Sequence, residues 1–173
     1  MADLLTEHDI DLLIADRAIR LLVLGNGRRI WEASPSPYHQ MLIDDIRASI
    51  RPLIPADDQP PPCGCHHISD AYVRLPDSSL MRPDIAVFCA PPPRQRSALR
   101  IVPAAVIEII SPNYETKDTE DLPPIYLANG VLDVIVVDPE QHQVLRFDAD
   151  GRTSSDPPST LALRCGCRVT IAL

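Results

Sequence analysis

Two short apolar runs, each carrying a single carboxylate, constrain this chain more than any other feature. They are Arg82-Pro83-Asp84-Ile85-Ala86-Val87-Phe88 and Val106-Ile107-Glu108-Ile109-Ile110-Ser111-Pro112. Both have the length and β-branched content of buried strands. A charge buried in such a run is costly unless a cation or a set of hydrogen bonds meets it. Side chains alternate along a strand, so Asp84 shares a face with Ala86 and Phe88, and Glu108 with Val106 and Ile110. If the two strands are neighbours, both carboxylates can reach one cation.

A hard divalent ion, Mg²⁺ or Mn²⁺, suits an oxygen pair of this kind and keeps several of its waters. Such an ion stabilises charge on a scissile phosphate and lowers the pKa of a bound water. Lys117, in Glu115-Thr116-Lys117-Asp118, is the single lysine of the chain. A compact ammonium on a flexible stem can orient that water or meet charge in the transition state. Two acids, one metal and one lysine are the minimal equipment of a metal-dependent phosphodiesterase. Simpler readings exist for each residue: Asp84 caps a turn, Glu108 pairs with an arginine across the sheet, and Lys117 is a solvated loop residue.

The chain's 173 residues suit one domain, 1–173, with its core over about 19–148. A net charge of −8 argues against bulk electrostatic binding of nucleic acid. A metal site with a local basic run, Arg94, Arg96 and Arg100, is still compatible with a phosphate substrate. No apolar stretch reaches the roughly 20 residues of a membrane span. Met1 to Asp16 is acidic and lacks a basic leader, so a cytoplasmic location is expected.

Nineteen prolines exclude a helical bundle and mark frequent turns. A helix is expected over Thr6 to Arg17, and a hairpin from Ile19–Leu24 and Arg29–Ala33 around Gly25-Asn26-Gly27. A second helix is expected from Tyr38 to Leu53, and a Pro-rich loop from Pro55 to Pro62. Ile68–Leu75 and Pro83–Cys89 read as an antiparallel pair, and Ala104–Ile110 as a central strand. Ser111–Leu122 reads as a loop with a helical turn, because Pro123-Pro124 can open a helix but not lie inside one. The short helix that follows stops at Asn129-Gly130. Val131–Val137 then completes a right-handed parallel crossover. Gln143–Asp148 reads as an edge strand, Asp150–Ser159 as a loop and Cys167–Leu173 as the last strand. The class is α/β or α+β, a mixed sheet flanked by helices.

Four segments in order resemble the restriction endonuclease family of the Uma-two type, within the PD-(D/E)XK nuclease superfamily. They are Ser34-Pro35-Ser36-Pro37-Tyr38-His39-Gln40, Arg82 to Val87, Val106 to Pro112, and Tyr126 through Gly130-Val131 to Asp138-Pro139. The resemblance spans roughly Leu21 to Phe147. It implies a restriction-endonuclease-like sheet, Mg²⁺-dependent hydrolysis of DNA, and Asp84 and Glu108 as metal ligands. Related nucleases dimerise to cut two strands, which implies a homodimer. The chain departs from the pattern at the lysine. Its usual positions, two residues after the acid or four before the tyrosine, hold Ile110 and Leu122. Lys117 is the remaining candidate. The departure supports an alternative, a catalytically inactive binding or assembly protein that keeps the fold.

Three auxiliary candidates surround this set. His39 either contacts phosphate or bonds a loop carbonyl. Glu32 is an auxiliary acid or an edge-strand surface charge. Ser111 shapes the turn after the Glu108 strand or helps position water. Asp118 and Asp121 read as helix caps. Separately, Cys63-Gly64-Cys65-His66-His67 and Cys165-Gly166-Cys167 form two tight pairs. Zinc ligation, a disulfide and free thiols packed as small hydrophobes are all open to them, with free thiols expected in a reducing compartment.

Overall fold

The computed structural model describes residues 19–55, 60–112 and 114–173. The helix expected over Thr6 to Arg17 lies outside the described residues, as does part of the Pro55–Pro62 loop. The fold is α+β; among the described residues there are three sheets, two α-helices and a π-helical turn. The first hairpin is β1 (Ile19–Val23) and β2 (Arg29–Ala33), with Leu21 opposite Trp31. Gly27, at φ +82°, makes the tight turn between them.

Helix α1 (Pro37–Ser49) starts as expected. Ser36 caps it, its Oγ accepting from the His39 N–H at 3.2 Å. It ends earlier than expected, because Ile50 is extended and Arg51–Pro52 forms a short strand, β3, against the last strand. The expected strand Ile68–Leu75 is two strands, β4 (His66–Ser69) and β5 (Val73–Arg74). Asp70 breaks it, sitting in the left-handed region at φ +59°. As a result β4 pairs with β7 (Ile85–Phe88), while β5 pairs with β6 (Leu80–Met81).

β8 (Ala105–Ile109) lies antiparallel to β7 and parallel to β9 (Asp133–Asp138). The crossover between β8 and β9 departs from expectation. Most of the segment read as a loop is helical: a π-helical turn, Lys117–Asp121, runs directly into α2 (Leu122–Ala128). Pro123 and Pro124 lie in the first turn of α2, as expected, but that helix continues a π-helical turn rather than starting from a loop. The wide turn, closed by the Leu122 N–H bonding the Lys117 carbonyl, relieves the clash that a proline ring makes with the carbonyl four residues before it.

Beyond β9 come β10 (Gln143–Asp148), β11 (Gly151–Ser155), β12 (Ser159–Ala162) and β13 (Cys167–Ile171). β10 is not the edge. β11, within the expected loop, pairs outside it. Its residues are nearly all exposed, so it carries no hydrophobic alternation to read. The central sheet runs β11-β10-β9-β8-β7-β4; β2-β1-β6-β5 and β12-β13-β3 are separate sheets.

The central strands are buried on both faces, which is why they read as continuous apolar runs. One face, with Ile85, Ile107 and Ile135, packs on α1 and β13. The other, with Ala86, Val106 and Val134, packs on α2 and the first hairpin through Leu122, Tyr126 and Leu22. Asp84 and Glu108 belong to this second face.

The cysteines also differ from expectation. Cys63 is paired with Cys89 and Cys65 with Cys167, leaving Cys165 as a buried free thiol. The neighbouring ends of β4, β7 and β13 bring these distant residues together.

Asp133, at the start of β9, is fully buried. It accepts from Arg146 Nε at 2.9 Å and from the Arg164 N–H at 2.7 Å. Arg146→Met strips this carboxylate of its cation and is expected to cost about 2 kcal/mol in chemical denaturation. An unchanged midpoint would show that the Arg164 amide alone suffices.

Candidate active site

Continuing the β7–β8 register by one residue sets Asp84 opposite Glu108. At this point the side chains take over from the backbone ladder. Asp84 Oδ2 accepts from the Ile109 N–H at 2.8 Å, and Glu108 Oε2 accepts from the Asp84 N–H at 3.2 Å. Both carboxylates are almost fully buried. The expectation that they share a face of neighbouring strands is met.

Three other elements complete the surroundings. β1 brings Arg20, which donates to Asp84 Oδ1 at 3.1 Å and also pairs with Asp70. α1 brings His39, with Nε2 3.0 Å from Asp84 Oδ1 and Nδ1 3.2 Å from Ser111 Oγ. α2 brings Tyr126, whose hydroxyl donates to Glu108 Oε1 at 2.7 Å. The π-helical turn supplies Lys117 and Asp118. The Lys117 amine is ion-paired to Glu32 and lies 2.7 Å from Asp118 Oδ1. Such turns frequently mark functional sites.

Arg20, Glu32, His39, Asp84, Glu108, Ser111, Lys117 and Asp118 line one cavity of about 200 Å³, with Tyr126 buried behind Glu108. The six candidate residues, Asp84, Glu108, Lys117, His39, Glu32 and Ser111, all reach it. Glu32 is therefore in the cavity rather than a plain surface charge, since β1 and β2 lie over the sheet and Arg20 pairs in register with Glu32. His39 bonds the Ser111 hydroxyl and faces the Asp84 carboxylate rather than bonding a loop carbonyl. Asp118 is not an exposed cap: it is 2 % exposed and faces the cavity. Ile110 and Leu122 are buried in the apolar cluster.

Arg20, Asp118 and Tyr126 were missed as site residues. Arg20 carried a signal, because it is the lone charge in the apolar strand Ile19–Val23 and the same burial argument applies to it. Asp118 and Tyr126 carried none, since their burial depends on how the crossover helix packs.

The electrostatics are unbalanced. Four carboxylates (Glu32, Asp84, Glu108, Asp118) face two permanent cations, Arg20 and Lys117. Burial pushes Glu108 well above the usual carboxylate range, and the nearby Asp84 and Asp118 charges add to this. Bonds from Tyr126 and the Asp84 amide partly oppose it. Asp118 is pushed up to about 6, chiefly by burial, with Lys117 pulling the other way. Burial and the charge of Glu108 hold Tyr126 well above its ordinary value, so it stays a donor. An excess of two negative charges on an all-oxygen donor set fits one hard divalent cation. Asp84 Oδ2 and both Glu108 oxygens have one bonded partner each and keep lone-pair capacity, whereas Asp84 Oδ1 is met by both Arg20 and His39.

A family model described as "Putative restriction endonuclease", Uma2, matches residues 18–163. The chain belongs to this family. Among solved structures, a protein described as a "putative nuclease belonging to DUF820" from Anabaena variabilis ATCC 29413 superposes with a TM-score of 0.57. It is 16% identical, and the match covers 82% of this chain and 79% of that one. That likeness establishes a shared fold. Among curated proteins, none matches the chain.

The raised carboxylates give a pH prediction for the metal-free protein. The native pKa of Asp118 exceeds its unfolded value, so the folded state binds the proton more tightly. Its contribution to stability is present below the unfolded carboxylate range and is lost as pH rises through about 6. Glu108 acts in the same direction. In denaturation with a chelator present, stability is expected to rise as pH falls from about 8 to about 5. Asp118→Asn is expected to flatten that rise. A wild-type slope of opposite sign would contradict the electrostatic reading.

Proposed function

We propose that the chain is a metal-dependent DNA endonuclease acting as one domain, with Asp84 and Glu108 holding one Mg²⁺ or Mn²⁺ ion. The observation that carries this reading is the reciprocal bonding of two buried carboxylates across β7 and β8, in an open cavity with excess negative charge. When bound, the ion supplies Lewis-acid stabilisation of the phosphate and a water of lowered pKa.

The protein's own groups do the rest. Tyr126 and the Asp84 amide fix the Glu108 carboxylate. The Ile109 amide, Arg20 and His39 fix Asp84. Preorganised donors of this kind need no rearrangement when charge develops. Lys117 presents the cavity's flexible ammonium and serves to orient the attacking water or meet charge on the phosphate. Glu32 and Asp118 hold that ammonium in place, and Ser111 holds the His39 ring.

Beside the catalytic cavity lies a larger hollow of about 820 Å³, lined by Arg94, Arg96 and Tyr72 and by Asp70, the second partner of Arg20. Local guanidinium groups there offset the acidic surface for a phosphate backbone. A homodimer, presenting two sites to two strands, belongs to the same reading. No described helix is long and apolar enough to cross a membrane, and a cytoplasmic location is part of the proposal.

A second reading is favoured by the lysine. The positions at which the resembled family carries it are buried and apolar here, and the Lys117 amine is already tied to two carboxylates. An inactive binding or assembly protein would bind metal and DNA without cutting.

Cleavage of plasmid and linear DNA with Mg²⁺ or Mn²⁺ separates the two. The nuclease reading expects Asp84→Asn and Glu108→Gln to lose roughly a hundredfold or more in rate. Lys117→Met is expected to lose about a hundredfold while metal affinity stays unchanged. Wild-type protein that binds the ion but cuts no DNA would establish the second reading instead.

A further inference from the structure

Asp84 lies just before β7, and a second cluster forms just beyond its other end. Cys63 and Cys65 precede β4, Cys89 follows β7, and Cys165 and Cys167 frame the turn into β13. The Cys63 sulfur lies within 4.8 Å of all four others, in two groups: Cys63, Cys65, Cys167 and Cys63, Cys89, Cys165. A disulfide engages only one neighbour of such a hub. The pairing leaves Cys165 as a buried thiol, with burial pushing its pKa up.

The two Cys-Gly-Cys turns are shaped for this convergence. Gly166 sits at φ +90°, and a Cβ there would lie 2.4 Å from Pro62 Cγ. A Cβ on Gly64 would lie 2.7 Å from the His66 ring and 3.0 Å from the Cys89 carbonyl oxygen. A side chain at Gly166 would clash with Pro62 in a left-handed backbone, and one at Gly64 would crowd the Cys89 carbonyl. Cys65 itself is left-handed, at φ 51°. Backbone constraint of this kind is needed where two turns must aim several sulfurs at one point, and is more than small hydrophobic packing requires.

We propose that the reduced chain uses this cluster as a tetrathiolate site, Cys63, Cys65, Cys165 and Cys167, for one zinc-class ion. These four are the buried members, whereas Cys89 is exposed. Tetrahedral thiolate ligation at about 2.3 Å sets sulfurs about 3.8 Å apart; Cys63, Cys65 and Cys167 already group together, and Cys165, grouped with Cys63 and Cys89, is the sulfur that must swing toward them. The soft donors separate this site from the oxygen-lined cavity, which suits hard ions. Reduction is a thiol–disulfide exchange: each disulfide takes two electrons and two protons from a dithiol, which closes to its own disulfide. Metal binding then releases one proton from each of the four thiols. The ion would tie the three-stranded sheet to the edge of the central one, as Cys65–Cys167 does in the oxidised chain. In a reducing compartment, where disulfides do not persist, it would replace that tie.

The test uses full-length protein reduced with a dithiol, freed of reductant under inert gas, and titrated with Co²⁺ and Zn²⁺. The expected result is one ion per chain, with the sulfur-to-cobalt charge-transfer intensity of four thiolates. Native alkylation of the zinc-loaded chain should label Cys89 alone, and all five cysteines after chelation in denaturant. Cys89→Ser should bind as wild type does, and Cys165→Ser should weaken binding roughly tenfold or more. The proposal is overturned if reduced wild-type protein takes up no stoichiometric metal. It is equally overturned if zinc leaves the alkylation of the four buried cysteines unchanged, or if Cys165→Ser binds like wild type. The wild-type spectrum and labelling need no variant to fold.

Discussion

Everything at the candidate site depends on one exchange of hydrogen bonds between β7 and β8. Where the ladder would continue, the Ile109 N–H is taken by Asp84 and the Asp84 N–H by Glu108. The two strands thus stay joined while two carboxylates are fixed side by side in an apolar sheet. This arrangement is tolerable only because donors surround it. Tyr126, Arg20 and His39 come from three different elements to reach two of the four oxygens, Glu108 Oε1 and Asp84 Oδ1. The packing of α2, α1 and the first hairpin on one sheet face is therefore also the construction of the site.

The charge balance explains why the cavity is suited to a cation. Neutralising it with protons moves Asp118 up to about 6 and Glu108 well above the ordinary range. A divalent ion offers the same neutralisation without protonating the ligands. Lys117 is a bystander to the Asp84–Glu108 pair in direct bonding but shares its cavity. In the proposed reading, that position gives it a role toward water and phosphate rather than toward ligand geometry.

Much of this was legible in the sequence, for physical reasons that can be named. The central strands β7, β8 and β9 are buried on both faces and so advertise themselves as continuous apolar runs. Alternation then placed Asp84 and Glu108 on one face, and neighbouring strands brought them together. The same reasoning was not applied to Arg20, although it stands alone in an equally apolar strand. Other features left no local trace. β11 is an exposed polar edge whose strand state depends on pairing with β10. The helical state of Lys117–Asp121 depends on a π-turn that runs into α2 ahead of its two first-turn prolines. The break at Asp70 depends on a left-handed residue whose carboxylate meets Arg20. The convergence of Cys-Gly-Cys pairs a hundred residues apart is a tertiary fact, beyond the reach of local pattern.

The central claim is that Asp84 and Glu108 share one divalent cation. It is tested most directly by anomalous diffraction from crystals soaked in Mn²⁺. The account predicts a single strong peak in the cavity, within coordination distance of a carboxylate oxygen of each residue, about 2.0–2.6 Å. A peak confined to other carboxylates, or no peak beside a filled cavity where Arg20 alone meets Asp84, would contradict it.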